Sequence, residues 1–268
     1  MLVLLSPAKN LDFAPHDGAP PATKPALTKE TAELVAAARA LSAADIRRLM
    51  SVSEKLAELN RARFADFKTS GRIEGAKPAA LAFNGDVYQG LAAKSFSADD
   101  FAFAQEHLRI LSGLYGLLRP LDAIQPYRLE MGARLKTARG PDLYAFWGDR
   151  LAREINRILA GHDDPTIVNL ASQEYFGAVD AASLKAKVVT ALFKEEKDGA
   201  LRQLQFFQKR ARGAMARWIV KNRVTRAADL ARFAEDGYRL RKDLSDESTM
   251  IFTRPQPPLK AAARKRDD

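Results

Sequence analysis

The segment HLRILSGLYGLLRPLDAIQPYRLEMG, residues 107–132, decides the fold that the sequence predicts. Its mostly apolar run, residues 108–111, ends at Ser112, and the prolines Pro120 and Pro126 follow within a stretch that also holds several glycines. Glycine permits backbone conformations that other residues avoid, whereas proline fixes φ. The segment therefore predicts a buried strand that leads into a rigid loop, and rigid loops often carry functional residues.

Two other short apolar runs lead into polar residues in the same way. Residues 2–5 precede Lys9, and residues 166–170 precede Glu174. In open α/β sheets, ligands bind beyond the carboxyl ends of the strands. If the three strands are parallel neighbours, their polar residues converge on one cleft, to which the loop of residues 81–90 also contributes.

The residues expected at this cleft combine carboxylates, cations and hydroxyl groups. Such groups could perform general acid–base chemistry on a nucleobase or a glycosidic bond, with a small nucleotide-like molecule as the ligand, although the residues alone do not identify the reaction. The candidate catalytic residues are Lys9, Tyr127, Arg128, Glu130 and Glu174, and the further pocket residues are Ser6, Asn84, Tyr88, Tyr115 and Arg119. Two simpler readings stay open, namely that Ser6 begins an ordinary surface turn and that Arg128 and Glu130 only pin a rigid loop. No phosphate loop, dinucleotide fingerprint or nucleophile elbow identifies a reaction.

Composition limits the classes of protein and site. The chain of 268 residues is 47% hydrophobic and 28% charged, which is typical of a globular protein, and it is long enough to bury a substantial core as one large domain or two small ones. The absence of cysteine excludes disulfides, thiolate catalysis and cysteine-ligated metals, and three scattered histidines argue against a histidine-rich metal site. We expect no metal and no cofactor.

The distribution of apolar residues argues against a membrane protein. The longest apolar stretches fall far short of the roughly 20 residues that a membrane span needs. Residues 1–5 are apolar, but Pro7 ends the stretch too early for a signal peptide and no basic residue precedes it. These features predict a cytoplasmic protein.

Strands alternate with helices along the chain, which predicts a mixed α/β fold. Beyond the three strands above, we expect a strand at 188–193, a hairpin turn at 197–199 into a strand at 201–207, and a last strand at 249–253. Helices are expected at 28–41, 97–106 and 143–159. A single domain should therefore span residues 1–254, with a mixed central sheet and surrounding helices, followed by a disordered basic tail at 255–268.

A basic helical hairpin is expected at residues 43–67. Ser42 and Ser53 are N-caps of two helices, which the short connection Ser51-Val52-Ser53 joins. The hairpin could present cations to phosphates, or it could be a core hairpin with a solvated outer face. Its basic residues are Arg47, Arg48, Lys55, Arg61 and Arg63.

The charge is also concentrated near the end of the domain. The formal net charge is +10, and residues 209–226 contain seven basic residues and no acidic one. A basic surface can serve solubility alone, but a solvated helix usually intersperses acidic residues, so unneutralised charge that faces a polyanion such as double-stranded DNA is the alternative. The candidate DNA-binding residues here are Lys209, Arg210, Arg212, Arg217 and Lys221.

Six motifs, in order along the chain, closely resemble the YaaA family of bacterial peroxide stress resistance proteins. They are LVLLSPAKNLDF, AFNGDVYQGL, LRILSGLYGLLRPLDAIQPYRLEMG, DLYAFWGD, NLASQEYF and KRARGAMARWIVKNR. The resemblance implies a family-specific fold and a cytosolic protein that limits peroxide damage by keeping unincorporated iron low. It also implies DNA binding through a positively charged cleft and a helix-hairpin-helix element, for which the hairpin at 43–67 is the candidate.

Two functional hypotheses follow. In the first, the chain is a DNA-binding stress protein without turnover, as the basic segment indicates. In the second, it is an enzyme that acts on a nucleobase or nucleotide in the strand-end pocket. Iron chelation by the protein itself is disfavoured, because its carboxylates have no recognisable ligand spacing.

Overall fold

The apolar run Leu2–Leu5 forms a central strand whose four side chains are all buried. It is seen in a computed structural model that describes residues 1–16, 18, 20–71 and 73–258. The strands of the described residues are β1 (Leu2–Leu5), β2 (Asn10–Leu11), β3 (Lys77–Pro78), β4 (Phe83–Asn84), β5 (Leu108–Ser112), β6 (Gly116–Leu118), β7 (Ala123–Ile124), β8 (Thr166–Leu170), β9 (Lys187–Lys197), β10 (Ala200–Arg202), β11 (Arg239–Leu240) and β12 (Thr249–Pro255). The α-helices are α1 (Thr28–Arg39), α2 (Ala43–Met50), α3 (Glu54–Asp66), α4 (Ala79–Ala82), α5 (Asp86–Leu91), α6 (Ala98–His107), α7 (Leu143–Trp147), α8 (Arg150–Leu159), α9 (Gln173–Phe176) and α10 (Gln205–Lys221).

One mixed sheet organises the single domain. Its strand order is β11-β12-β9-β8-β1-β5-β6, and β10 pairs with the far end of β9. The strands from β12 to β5 are mutually parallel, whereas β6, β10 and β11 are antiparallel to their neighbours. Leu5 lies opposite both Ile110 and Leu170. The three predicted strands are therefore parallel neighbours that end at the same edge, and the predicted mixed α/β fold is confirmed.

The strand β9 extends beyond that edge and forms a wall. Its pairing with β8 ends at Thr190, but the strand continues to Lys197 before the chain turns back into β10. The turn at 197–199 is as predicted. The predicted strand at 201–207 is wrong, because β10 ends at Arg202 and α10 begins at Gln205. Helical spacing of the buried residues within α10 overrides the short apolar pattern at its start.

The predicted helix at 143–159 is two helices. Gly148 has φ 49°, a left-handed conformation that ends α7, and its N–H donates to the carbonyl of Tyr144. α8 starts two residues later. The break lets the Trp147 indole N–H donate to the carbonyl of Gly113 at 3.1 Å, inside the core. Glycine allows this direction change where a continuous helix would carry the indole elsewhere.

The helical hairpin is confirmed as two capped helices. Ser42 and Asp45 form a reciprocal capping box at the start of α2, and Ser53 accepts from a backbone N–H at the start of α3. Ser51 joins the helices in a left-handed conformation with φ 49°. Phe64 and other apolar side chains pack the inner face into the core, so the hairpin is anchored by burial as well as by its caps.

The C-terminal strand reaches slightly further than predicted. Pro255, where the tail was expected to start, is the last residue of β12, and the N–H of Gln256 donates to the carbonyl of Glu196 at 2.9 Å. Residues 259–268 of the predicted tail lie outside the described residues. In the part of the chain that the structure describes, no helix has both the length and the apolar character that crossing a membrane requires.

Candidate functional site

A cleft of about 1010 Å³ opens beyond the carboxyl ends of β1 and β8. The N-terminal end of α5, the loop after β7, α9, the overhang of β9 and the first half of α10 surround it. The residues that carry functional groups into it include Ser6, Lys9, Asn84, Glu130, Ser172, Glu174, Lys209 and Arg212. The predicted convergence of strand-end residues therefore occurs, at the edge where doubly wound proteins bind ligands.

Glu130 is held by two cations through one of its oxygens. Arg128 donates to Glu130 Oε1 from Nε at 3.0 Å, its Nη2 lies 2.9 Å from that oxygen in an ion pair, and Lys9 Nζ lies 3.4 Å from the same oxygen. The other oxygen, Oε2, is buried and has no hydrogen-bond partner among the described residues. A carboxylate accepts hydrogen bonds at both oxygens, so Glu130 retains one oriented, unused acceptor at the cleft.

Glu174 is positioned from the opposite wall. Its Oε1 accepts from the backbone N–H of Gly132 at 3.0 Å, which ties α9 to the loop that carries Glu130. At the base of the cleft, the N–H of Ser172 donates to Ser6 Oγ at 2.8 Å and so joins the ends of β8 and β1. Two carboxylates thus face one cleft, each oriented by a neighbouring segment.

Three predicted pocket tyrosines support the cleft from below instead of lining it. Tyr127 shares a 2.6 Å hydrogen bond with Ser112 Oγ, the Tyr115 hydroxyl accepts from a backbone N–H at 2.9 Å, and the Tyr88 hydroxyl donates to the carbonyl of Ser6 at 3.0 Å. All three are buried, and burial raises the pKa of each phenol above its ordinary value. They are therefore neutral hydrogen-bonding residues of the core.

The chain direction explains why Tyr127 and Glu130 separate. From Tyr127 onward buried and half-buried residues alternate, because successive side chains of an extended segment point to opposite sides. Tyr127 and Leu129 face the core, while Arg128 and Glu130 face outward. The expectation that Tyr127 lines the cleft beside Glu130 is thereby corrected.

Arg119 lies at the opposite edge of the sheet. The antiparallel strand β6 carries the chain back past β5, so Arg119 lines a second cavity of about 680 Å³ together with His107 and His162. Its Nη2 donates to Asp122 Oδ1 at 2.9 Å. The expectation that Arg119 joins the strand-end cleft is therefore corrected.

The second half of the basic segment is neutralised, contrary to expectation. Arg217 pairs with Glu235, and both Lys221 and Arg223 pair with Asp100. Burial alone would raise the pKa of Asp100, but hydrogen bonds from these cations and from the residues at the start of α6 hold it well below its usual range. The compensating carboxylates come from distant parts of the chain, so the local absence of acidic residues did not reveal them.

The first half of α10 keeps its charge. Lys209 and Arg210 are exposed, and Arg212 is half-buried. None of the three has a carboxylate oxygen within 4.0 Å among the described residues, and the buried Nε of Arg212 has no hydrogen-bond partner there. Burial lowers the pKa of Arg212. The sequence predicted Arg212 as a DNA-binding residue and did not place it at the strand-end cleft, although its spacing from Gln205 and Gln208 puts all three on the cleft face of one helix.

The cations of the hairpin form a separate surface. Arg47, Arg48, Lys55 and Arg61 are exposed and Arg63 is half-buried, and none of them lines the cleft. Among these five, Arg48 pairs with Asp45 and Arg61 pairs with Glu58. Contact between this surface and DNA stays a prediction. Within the described ranges, no group of three or more metal-ligating side chains is placed to hold a metal ion.

The sheet is largely parallel, and a polar cleft opens beyond the carboxyl ends of its strands. The chain is therefore an α/β protein with its candidate site where proteins of this class bind ligands. Residues 1–244 match the family described as peroxide stress protein YaaA. A UPF0246 protein of Phenylobacterium zucineum is 55% identical over 268 residues, covering all of both chains. One from Caulobacter vibrioides is 55% identical over 96% of this chain and 100% of its own, and one from Saccharophagus degradans is 48% identical over the same shares. The chain belongs to the peroxide stress protein YaaA family, and its role is in peroxide stress.

Proposed function

We propose that the protein acts in the cytoplasm during peroxide stress by binding double-stranded DNA without turnover. The observation that carries the proposal is the uneven charge of α10. Distant carboxylates neutralise its second half, whereas Lys209, which lines the cleft, and Arg210 stay exposed and unpaired among the described residues. Cations that lack protein partners are available to phosphates, and the counterions that they release drive the association.

The hairpin α2–α3 is the second contact surface of this proposal. Arg47 and Lys55 are exposed and make no ion pair with the described residues. Contacts from flexible cations to phosphates carry no base information, so binding is largely independent of sequence. The proposal includes the iron-linked part of the role, in which the bound protein limits damage from iron and peroxide.

The dependence of duplex affinity on salt concentration tests this proposal. The double variant Lys209→Gln/Arg210→Gln should bind a duplex more weakly, and the slope of log affinity against log salt should fall by about 0.9 for each lost phosphate contact. The variant Arg47→Gln/Lys55→Gln tests the hairpin in the same way. A matched control is Arg153→Gln/Arg232→Gln, which removes two exposed cations that lie outside the cleft and the hairpin.

The two variants give distinct outcomes. An unchanged slope for Lys209→Gln/Arg210→Gln removes α10 from the interface, and an unchanged slope for Arg47→Gln/Lys55→Gln removes the hairpin. If neither variant differs from the control, DNA binding by these surfaces is refuted. Survival of peroxide with and without a cell-permeant iron chelator tests the iron-linked part, because chelation should rescue cells that carry a defective variant.

An enzymatic role for the same cleft is the second candidate function. The observation that favours it is the pair of oriented carboxylates, Glu130 and Glu174, beside Lys9. Duplex binding needs cations and gains nothing from two carboxylates at the site, whereas proton transfer to or from a nucleobase or sugar uses such groups. The variant Glu130→Gln distinguishes the two roles and is treated in the Discussion.

A further inference from the structure

Two of the protein's unpaired buried polar atoms meet at one cleft. Five side-chain atoms of the described residues are buried without a hydrogen-bond partner: Glu130 Oε2, Arg139 Nη1, Glu195 Oε2, Arg212 Nε and Arg254 Nε. Arg254 and Glu195 face each other in an ion pair, and Arg139 pairs with Glu33. Glu130 and Arg212 differ from the other three because both line the strand-end cleft.

The two atoms specify complementary features of a ligand. Nε of Arg212 only donates, and its guanidinium has no carboxylate within 4.0 Å among the described residues. Oε2 of Glu130 only accepts. Buried polar groups are normally satisfied, and an unpaired group at a cleft indicates a partner that binds there. The ligand should therefore carry an anionic group at one end and an N–H or O–H donor at the other.

The surroundings of Arg212 favour a phosphate as the anion. Lys209, on the preceding turn of α10, also lines the cleft, and no side chain caps the N-terminal end of this helix. Two cations and the partial positive charge of a helix N-terminus suit a doubly charged phosphate monoester. The planar guanidinium fork matches phosphate geometry.

The remaining walls suit a nucleoside. Tyr175 and Phe176 contribute aromatic surface to the cleft, and Asn84 and Gln208 contribute neutral hydrogen-bonding groups. Nucleobases stack on aromatic side chains. The volume of about 1010 Å³ matches the upper size of small-molecule sites and is too small to enclose a duplex.

We propose that the cleft binds a single nucleoside 5′-monophosphate unit, with Arg212 paired to the phosphate monoester and Glu130 Oε2 accepting from an amino or hydroxyl group of the nucleoside. The choice of a nucleotide rests on the proposed nucleic-acid role of the same region. Both a free nucleotide and the phosphorylated 5′ end of a DNA strand carry such a phosphate monoester, so either could supply the group that binds. This site lies within the cleft, which Lys209 also lines.

Calorimetric titration of the full chain tests the proposal. The probes are adenosine, guanosine, cytidine and thymidine 5′-monophosphates, each compared with its nucleoside. At least one monophosphate should bind about 10- to 100-fold more tightly than its nucleoside, as expected for charge-assisted hydrogen bonds. Arg212→Gln should abolish that difference, Glu130→Gln should weaken monophosphate and nucleoside alike, and the surface control Arg153→Gln should change neither.

The stability of the Arg212 variants keeps the test interpretable. Because Arg212 has no partner among the described residues for its buried Nε, Arg212→Gln should melt at the wild-type temperature or above it. Arg212→Lys keeps the charge but loses the fork, and should bind the monophosphate about 10-fold more weakly. A variant that melts normally and binds the monophosphate as well as wild type overturns the proposal.

Further arms identify the source of the phosphate and separate this site from the duplex surface. Tighter binding of a 5′-phosphorylated single strand than of its unphosphorylated form assigns the monoester to a DNA end, and equal binding assigns it to a free nucleotide. If no monophosphate binds better than its nucleoside while duplex binding keeps its salt slope, this inference is overturned and the duplex proposal stands. If Lys209→Gln/Arg210→Gln leaves the salt slope of duplex binding unchanged while a monophosphate still binds better than its nucleoside, α10 is not part of the duplex surface and this inference stands.

Discussion

Gly90 and Gly213 lie at the crossing of α5 and α10, where the two helix backbones touch. A Cβ atom added to Gly213 would lie 1.8 Å from the carbonyl oxygen of Val87, and one added to Gly90 would lie 2.1 Å from that of Arg210. Only glycine permits so close an approach. The crossing fixes the position of the first half of α10, and hence of Lys209 and Arg212 at the cleft.

We predict that Gly213→Ala destabilises the protein by about 3 kcal/mol or more, because backbone atoms cannot yield to the added methyl group as a flexible side chain could. Gly161→Ala is a suitable control, since its Cβ would meet nothing closer than 3.7 Å. Urea unfolding of both variants is the measurement. Equal stability of Gly213→Ala and wild type would contradict the close crossing.

The ion-pair centre at Asp100 predicts a dependence of stability on pH. Asp100→Asn should lower the free energy of unfolding at pH 7 by about 2 kcal/mol, between the values for exposed and buried pairs, because Lys221 and Arg223 are each partly exposed. The folded-state pKa of Asp100 is lowered, so its stabilisation is present above the unfolded pKa of about 3.9 and is lost as the pH falls below it.

Urea unfolding of wild type and Asp100→Asn at pH 7 and at pH 3 checks this sign. The difference between the two proteins should narrow as the pH falls. A difference that widens under acid conditions would show that Asp100 is not stabilised as a carboxylate in the folded protein.

Tyr127→Phe tests the structural assignment of a tyrosine that the sequence placed among the catalytic candidates. The change removes the hydrogen bond to Ser112 Oγ and leaves that buried hydroxyl with only the N–H of Tyr115 as its partner, so we expect a loss of about 1 to 2 kcal/mol of stability. Peroxide protection should persist at a temperature where the variant is folded. Lost protection with wild-type stability would return Tyr127 to the site.

Glu130→Gln separates a working cleft residue from a structural pin. The amide still accepts from Arg128 through its oxygen, so we expect a stability loss of only about 1 kcal/mol for this partly exposed pair. If the pair served only to hold the loop in a buried position, the same change would lower the free energy of unfolding by about 3 to 5 kcal/mol. Thermal unfolding and duplex affinity are the measurements, and unchanged duplex affinity is expected because Glu130 contributes no cation.

The sequence predicted those parts of the fold that depend on local patterns. The central strands are buried on both faces and so appear as short apolar runs, and the hairpin has caps at Ser42 and Ser53 that are readable without tertiary information. The split at Gly148 was missed because the apolar spacing continues across the break. A glycine within an apparent helix was the available signal.

The candidate site was only partly predictable because it depends on partners far apart in the chain. Asp100 neutralises Lys221 from 121 positions away, and no local pattern reveals such a pair. The reversal at β6 that moves Arg119 to the other edge is likewise a property of the sheet. In contrast, the alternation of apolar and charged residues from Tyr127 to Glu130 was present in the sequence and would have separated the core tyrosine from the cleft carboxylate.

Survival of hydrogen peroxide in a strain that lacks the gene tests most directly whether the strand-end cleft carries the protective role. The strain would be complemented with wild type, Glu130→Gln, Arg212→Gln or the surface control Arg153→Gln/Arg232→Gln, with protein levels matched. We predict that wild type and the control restore survival and that both cleft variants fail to do so, because protection needs the nucleotide-binding cleft as well as duplex binding. Full protection by both cleft variants at wild-type levels would contradict a functional role for the cleft.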